Sequence, residues 1–246
     1  MTVAKYPRLT RLPRQSFFLL GVRGVGKSTW ARVQFPGATR VDLLDEARYQ
    51  DYLADPSVFA ADLQAAPPGS WVVVDEIQRL PNLLNEVHRH IEDRHLNFAL
   101  LGSSARKLLA GRALHKTMHP LTPAELGNDF ELEAALDTGT IPLIWVADER
   151  RQVLESYVRL YFREEVRAEG LVRNLPGFAR FLPIAALYHG QVVNISGIAR
   201  DCGVARTTVQ GYLEIRPVCP LSNRGYGCGS DGIRSSTGSI RGWYER

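Results

Sequence analysis

Cysteine, lysine and long apolar runs are all scarce in this sequence of 246 residues. It has three cysteines and four lysines. Cys202 lies in an apolar stretch, and Cys219 and Cys228 have neither the C-x-x-C spacing nor the histidine partners of a zinc site. The number and spacing of the cysteines exclude a disulfide scaffold, and we expect the chain to lie in a reducing, cytoplasmic compartment.

No apolar run approaches the roughly 20 residues that a membrane-spanning helix needs, and the first residues lack the apolar core of a signal peptide. We therefore expect no membrane insertion. The net charge of +4 has a local origin, because from residue 216 onward five arginines oppose Asp231 and Glu245 and carry +3 of it. The body of the chain has no broad excess of positive charge that would indicate nucleic acid as a partner.

Short apolar segments alternate with amphipathic stretches along the first half of the chain. Apolar runs at 16–20, 40–44, 71–74 and 97–101 predict strands, with a short fifth strand near 117–121. Segments 46–65 and 83–91 have helical spacing. The run 72–74 does not alternate with polar residues, which is typical of a strand buried on both faces. This order predicts an α/β domain with a parallel sheet flanked by helices.

A glycine-rich motif follows the first predicted strand and precedes a predicted helix. Residues 21–29, Gly-Val-Arg-Gly-Val-Gly-Lys-Ser-Thr, match G-x-x-x-x-G-K-[ST] in the context that this motif requires. Its glycines let backbone N–H groups point at phosphates, and the helix N-terminus adds partial positive charge. Lys27 can reach the β- and γ-phosphates of ATP, and the Ser28 hydroxyl can ligate Mg²⁺. The predicted nucleotide-binding residues here are Gly21, Gly24, Gly26, Lys27, Ser28 and Thr29.

Two carboxylates end the third predicted strand and supply the second half of this site. Asp75 is placed to hold Mg²⁺ through water, together with Ser28. Glu76 can polarise the attacking water as a general base. One carboxylate for the metal and one for water fit hydrolysis better than the phosphoryl transfer of a kinase. The plain alternative is a solvated acidic pair at a strand end.

Polar residues after the fourth predicted strand are further candidates. A hydroxyl of Ser103 or Ser104 can contact the γ-phosphate or the attacking water, although serine is also a common turn residue. Arg106 and Arg112 can stabilise charge in the transition state, in the same chain or from a neighbouring subunit, although many surface arginines are merely solvated. The assigned residues are Ser103 for nucleotide contact and Arg112, with Lys27 and Glu76, for catalysis.

These motifs together resemble a family of prokaryotic AAA-type ATPases whose C-terminal half is classed as a domain of unknown function. The matching stretches are 21–28, 74–78, 101–105 and 119–126, with 156–158 and Glu164-Glu165 as a helical continuation. The resemblance covers about residues 10 to 215. It implies an AAA-like core that binds and hydrolyses ATP, but it implies no substrate.

The second half of the chain changes character. Helical spacing from 148 to 187, with Pro176 and Gly177 as an interruption, predicts a mostly helical domain that begins between Asp129 and Asp148. Residues 198–212 have the spacing of a helix-turn-helix in a winged-helix-like region, with Gly203 at the turn and Ser196 as the expected N-cap. If this element reads DNA, the residues at the exposed start of its second helix are Arg206, Thr207, Thr208 and Gln210.

DNA contact has weak support, because such modules also serve as protein-contact units and the body offers little attraction for phosphate. Residues 216–246 contain six glycines, five serines and five arginines and cannot bury much core. The tail is predicted to be out-of-frame or degenerate sequence of a truncated chain, with a natural disordered tail as the alternative. The predicted regions are a P-loop AAA-like ATPase domain over 1–135, a helical region with the helix-turn-helix over 148–215, and the tail over 216–246.

The leading interpretation is an ATPase that couples magnesium-dependent ATP hydrolysis to movement of the helical C-terminal region. The expected partners are ATP, further copies of the chain in a homo-oligomer, and a protein that the sequence does not identify. One alternative is a nucleotide-switched DNA-binding regulator with little turnover. Another is an inactive truncated fragment.

Overall fold

The computed structural model describes residues 6–103, 114–161, 172, 174–188 and 193–215. It divides into two compact units, Met1–Gly127 and Asn128–Arg246. Several residues and segments of the sequence predictions lie outside the described ranges: Ser104, Arg106, Arg112, Glu164, Glu165, Cys219, Cys228 and the tail 216–246.

A parallel sheet forms the centre of the first unit. Its strands are Phe17–Leu20 (β1), Thr39–Asp42 (β2), Trp71–Asp75 (β3), Asn97–Gly102 (β4) and Leu114–Thr117 (β5). The strand order is β2-β3-β4-β1-β5, and each of these pairings is parallel. The predicted parallel α/β class is therefore confirmed. The fifth strand lies at 114–117 and not at 117–121, because Pro120 has no N–H to donate to a longer ladder.

The helices of the first unit are Lys27–Gln34 (α1), Glu46–Ala54 (α2), Pro56–Gln64 (α3), Leu84–Arg94 (α4) and the short Pro123–Leu126 (α5), with 3₁₀ turns at Ile77–Arg79 and Pro81–Leu83. The helical stretch predicted over 46–65 is present, but it is divided into two helices. Asp55 is extended, with φ −144°, and its carboxylate accepts the N–H of Ser57 at 2.8 Å. Pro56 occupies the first position of α3, where its missing N–H costs no hydrogen bond, so a second helix begins there.

Both faces of the sheet are covered, which explains the non-alternating strands. One face packs Phe18, Val72, Val74, Phe98 and Leu100 into a core with buried residues of α2, α3 and α4. On the other face, aromatic rings join the sheet to α1. The ring centroids of Phe17 and Trp30 are 6.1 Å apart, and those of Phe35 and Trp71 are 4.6 Å apart. These contacts hold α1 and Phe35, the residue that follows it, against β1 and β3.

A buried ion pair ties the segment before β1 to the segment after β5. The carboxylate of Glu125 accepts the N–H groups of Leu9 and Thr122, at 2.8 and 2.9 Å, and completes a capping box with Thr122. Arg8 Nε lies 3.5 Å from the same carboxylate, and the two side chains are 8% and 4% exposed. Burial lowers the pKa of Arg8, an effect that Glu125 opposes. Glu125 therefore stabilises contacts between chain segments that lie far apart in sequence.

We expect Glu125→Ala to lower the stability of the first unit by about 3 kcal/mol, because it leaves Arg8 charged, buried and unpaired. A urea titration followed by tryptophan fluorescence would measure this as a lower midpoint. Asp93→Ala is the matched control, since that carboxylate is exposed on α4 of the same unit. Equal midpoints for the two variants would contradict the stabilising role of the ion pair.

The described part of the second unit consists of helices and turns. Its helices are Leu132–Thr138 (α6), Pro142–Trp145 (α7), Arg150–Tyr161 (α8), Leu175–Leu187 (α9), Ile195–Cys202 (α10) and Arg206–Ile215 (α11). Pro176 and Gly177 do not interrupt a helix. They lie in the first turn of α9, where proline loses no intrahelical hydrogen bond. None of the helices in the described ranges combines the length and the hydropathy of a membrane span.

Helices α9, α10 and α11 surround a shared apolar core. Phe178, Phe181, Ile198, Val209 and Tyr212 are buried in it, and the hydroxyl of Tyr212 donates to the carbonyl of Asn174 at 3.0 Å. This core holds the three helices together as a small bundle.

The turn between α10 and α11 is made by Gly203, whose φ of 64° favours glycine. The prediction that Ser196 is the N-cap of α10 is wrong. Asn194 caps α10 by accepting the N–H of Gly197 at 3.0 Å, and Ser196 lies inside the first turn. The extended backbone of Asn194 brings its side chain back over the helix end, as an N-cap requires.

Candidate nucleotide-binding site

The glycine loop joins β1 to α1. Gly24 and Gly26 have φ values of 77° and 95°, where a side chain would be strained. Gly26 is the N-cap of α1 and has no side chain with which to cap this helix. The glycine loop therefore leads directly into a helix N-terminus, the arrangement by which helices bind phosphate.

Close packing also restricts the start of the loop. A Cβ on Gly21 would lie 2.5 Å from the carbonyl oxygen of Met118, and the Gly21 N–H donates to the carbonyl of Gly102 at 3.2 Å. The loop is thus fixed between the end of β4 and the residue after β5. A side chain at position 21 would force the loop away from these neighbours.

Lys27 begins α1, and its side chain folds back over the loop. Its Nζ donates to the carbonyl of Gly21 at 2.7 Å and to the carbonyl of Val22 at 3.2 Å, and the residue is 5% exposed. These bonds place an ammonium group within the loop that the sequence predicts for phosphate. Ser28 and Thr29 follow in the first turn of α1, and both are half-buried.

The carboxylates of Asp75 and Glu76 lie at the edge of the sheet where the glycine loop begins. Asp75 is the last residue of β3, and the register pairs Val74 with Leu100 on β4 and Gly102 with Leu20 on β1. Because the strands are parallel, the ends of β1, β3 and β4 meet at the same edge. The structure therefore brings the two carboxylates and the loop to the same end of the sheet, on two strands that are separated only by β4.

The backbone at Glu76 is strained. This residue has φ 56° and ψ 40°, the left-handed conformation that residues with a side chain rarely adopt, at a cost of about 1–3 kcal/mol. Its N–H donates to Asp75 Oδ1 at 3.1 Å. A strained backbone conformation persists where the surrounding structure holds it in place, and such residues are concentrated at functional sites.

Ser103 follows β4, which lies between the strand of the glycine loop and the strand of the carboxylates. Its Oγ accepts a hydrogen bond from Nε2 of Gln78 at 3.0 Å, and the same nitrogen donates to the carboxylate of Glu76. The sequence motifs alone assigned no role to Gln78. A polar residue two positions after Glu76 was the available signal, but its contact with Ser103 spans 25 positions of sequence.

The structure thus places Lys27, Asp75, Glu76 and Ser103 at the same end of the sheet as the glycine loop. This combination of parallel sheet, phosphate-type loop and strand-end carboxylates defines the fold of P-loop nucleotide-binding proteins. Arg112, the remaining predicted catalytic residue, lies outside the described residues.

Two family comparisons agree with this class. Residues 13–127 match the AAA domain, and residues 130–215 match the domain of unknown function DUF8612. The chain therefore consists of an AAA domain that is followed by DUF8612. The resemblance predicted from the motifs is confirmed. No curated protein matches the chain.

Solved structures with similar folds have low identity to this chain. RuvB of Thermotoga maritima, described as a Holliday junction branch migration motor, is 20% identical with a TM-score of 0.39, and the match covers 86% of this chain and 82% of that one. The replication initiator DnaA bound to AMPPCP and single-stranded DNA is 12% identical with a TM-score of 0.36, and the match covers 81% of each chain.

A signal transduction ATPase with numerous domains from Pyrococcus horikoshii, which carries a tetratricopeptide repeat sensor, is 11% identical with a TM-score of 0.37. That match covers 89% of this chain and 41% of the Pyrococcus protein.

Proposed function

We propose that this chain binds ATP with Mg²⁺ at the glycine loop and hydrolyses the nucleotide, and that hydrolysis changes the conformation of the helical second unit. The observation that carries the proposal is the meeting of the loop, Lys27 and the strained Glu76 at one edge of the sheet. A packing role alone would not require a helix that begins at a glycine loop, a buried lysine and a left-handed glutamate at the same edge.

The residues at this site fit a nucleoside triphosphate and a bound Mg²⁺ ion. The N-terminus of α1 and the ammonium of Lys27 suit the phosphates, for which Lys27 would exchange its bonds to the carbonyls of Gly21 and Val22. The hydroxyl of Ser28 and the carboxylate of Asp75 are oxygen ligands, which Mg²⁺ prefers. When bound, Mg²⁺ supplies positive charge against the phosphate oxygens.

Glu76 and Ser103 complete the proposed roles. Glu76 accepts the proton of the attacking water, and its carboxylate is held in place by Gln78. Ser103 senses the terminal phosphate or the water from the neighbouring strand. Arg112 would stabilise charge in the transition state, from this chain or from a second copy in a homo-oligomer, and this assignment stays a prediction.

A first test measures steady-state ATP hydrolysis by the whole chain with Mg²⁺ and after removal of the metal with EDTA. We expect turnover with Mg²⁺ and background turnover without it, because the phosphate charge is then no longer neutralised. Asp75→Asn should raise the Mg²⁺ concentration needed for half-maximal rate, whereas Asp93→Asn on the exposed face of α4 should not. Turnover that resists EDTA would contradict the proposal.

A second candidate is a nucleotide-switched DNA-binding regulator with little turnover. The observation that favours it is the pair α10 and α11, joined at Gly203, in which Arg206, Thr207 and Gln210 are exposed at the start of α11. ATP-dependent retention of duplex DNA in a gel shift, without measurable hydrolysis, would select this candidate. ATP binding with neither DNA retention nor turnover would instead indicate an inactive truncated chain.

A further inference from the structure

The side chain of Gln78 lies between two residues of the proposed site. Its Nε2 donates to the carboxylate of Glu76 and, at 3.0 Å, to the hydroxyl of Ser103. Glu76 follows β3 and Ser103 follows β4, so a single amide group joins the ends of two neighbouring strands. Gln78 itself lies in the 3₁₀ turn Ile77–Arg79, which the left-handed backbone of Glu76 starts.

The amide can serve this role in one orientation. Both of its partners offer oxygen atoms, and the carboxylate of Glu76 can only accept when it is ionised. A rotation by 180° would set Oε1 of Gln78 against that carboxylate, where two acceptors repel each other. In the observed orientation Oε1 is buried and has no hydrogen-bond partner among the described residues. A buried acceptor without a partner costs about 1–3 kcal/mol. The amide therefore makes its two hydrogen bonds through Nε2 while Oε1 makes none among the described residues.

Gly102 makes room for this arrangement. A Cβ at position 102 would lie 2.5 Å from Oε1 of Gln78, closer than real side chains approach. The backbone of Gly102 has no positive φ, so its conformation alone would allow a side chain. A side chain at position 102 would therefore require the Gln78 amide to move.

We infer that Gln78 is a positioning residue for hydrolysis, which holds the carboxylate of Glu76 toward the attacking water and links it to Ser103. This inference rests on the proposed function. Donation from Nε2 occupies one oxygen of Glu76 and leaves the other for water. Because Gln78 also bonds to Ser103, a displacement of Ser103 by the terminal phosphate changes the position of Glu76.

The experiment compares kcat and KM for ATP in wild type, Gln78→Ala and the isosteric Gln78→Glu. We expect Gln78→Ala to lower kcat about 10- to 100-fold with KM within about twofold of wild type, because a misplaced base slows the chemical step and the phosphate-binding residues are intact. Gln78→Glu keeps the shape but offers no amide donor, so it should lower kcat at least as much. Gln64→Ala, an exposed glutamine at the end of α3, is the control.

Gly102→Ala tests the same contact from the other side. It should also lower kcat, because the new methyl group displaces the amide of Gln78. The double variant Gln78→Ala/Gly102→Ala should be no slower than Gln78→Ala, since the methyl group then has no amide to displace. Independent, additive losses would overturn the coupling between the two residues.

The outcomes separate this inference from the proposed function. If wild type hydrolyses ATP and Glu76→Gln does not, but Gln78→Ala keeps the wild-type kcat, the inference is overturned and the proposed function stands. If wild type shows no turnover, the proposed function fails. The hydrogen bond between Gln78 and Ser103 is then tested by the side-chain amide signals of Gln78 in an NMR spectrum. We expect these signals to shift in Ser103→Ala, and unshifted signals would overturn the link.

Discussion

Glu76→Gln should lower the kcat for ATP hydrolysis by about 10²- to 10⁴-fold, the usual contribution of a general base. The substitution keeps the size of the side chain and removes its ability to accept a proton from water. Steady-state phosphate release gives the rate, and the Kd for ATP with Mg²⁺ should stay close to that of wild type. We expect this separation because the predicted phosphate ligands lie on the loop and α1, not on Glu76.

The conformation of Glu76 makes its replacement informative. Its φ of 56° is unfavourable for glutamate and glutamine alike, so the backbone strain is the same in both proteins. Glutamine at position 76 can still accept the hydrogen bond of Gln78 through its carbonyl oxygen. Asp93→Asn serves as the control for loss of a carboxylate. A kcat equal to that of wild type in Glu76→Gln would contradict the role of Glu76 as the general base. Asp75 and Glu76 would then be carboxylates that bind metal or are merely solvated.

Lys27→Met should weaken ATP binding about 10- to 100-fold, since a hydrogen bond to a charged group contributes about 1.5–3 kcal/mol. Methionine retains the aliphatic part of this buried side chain, so the change removes charge and donors with little loss of packing. Isothermal titration or the rise in melting temperature with added ATP would measure the effect. Hydrolysis at subsaturating ATP should fall with it.

Arg32→Ala is the matched control for Lys27→Met, because Arg32 is an exposed cation further along the same helix. It should leave the Kd for ATP within about twofold of wild type, since an exposed charge at that distance is screened by salt. Equal loss of affinity in both variants would indicate general electrostatic attraction, not a phosphate-binding lysine. Unchanged affinity in Lys27→Met would contradict nucleotide binding at this loop.

Local patterns were sufficient for the loop and its two flanking elements. The glycine motif, the apolar strand before it and the helix after it are adjacent in sequence, and their chemistry depends on neighbouring residues. Asp75 and Glu76 were found for the same reason, since they directly follow a continuous run of valines. Helix ends were harder to predict from the sequence. Asp55 caps a second helix that begins at Pro56 within the segment 46–65, and the spacing of apolar residues does not reveal the geometry of such a cap.

Contacts between distant positions could not be read in this way. Gln78 reaches Ser103 across 25 positions, and Leu9 reaches Glu125 across 116. The spacing of apolar residues sets which face of an element is buried, but it does not set which strand lies beside which. The role of Gln78 depends on β3 and β4 being neighbours, and the strand order is set by the packing of the whole sheet.

By itself, therefore, the sequence determined the parallel α/β class, the glycine loop between β1 and α1 and the position of the two carboxylates at the end of β3, because each follows from residue types that are close together along the chain. The tertiary structure alone decided that the ends of β1, β3 and β4 meet at one edge, that Gln78 joins Glu76 to Ser103, and that Gly102 leaves space for it. Hydrogen bonds and close packing act over a few ångströms in space, so their partners are settled only when the strands have assembled.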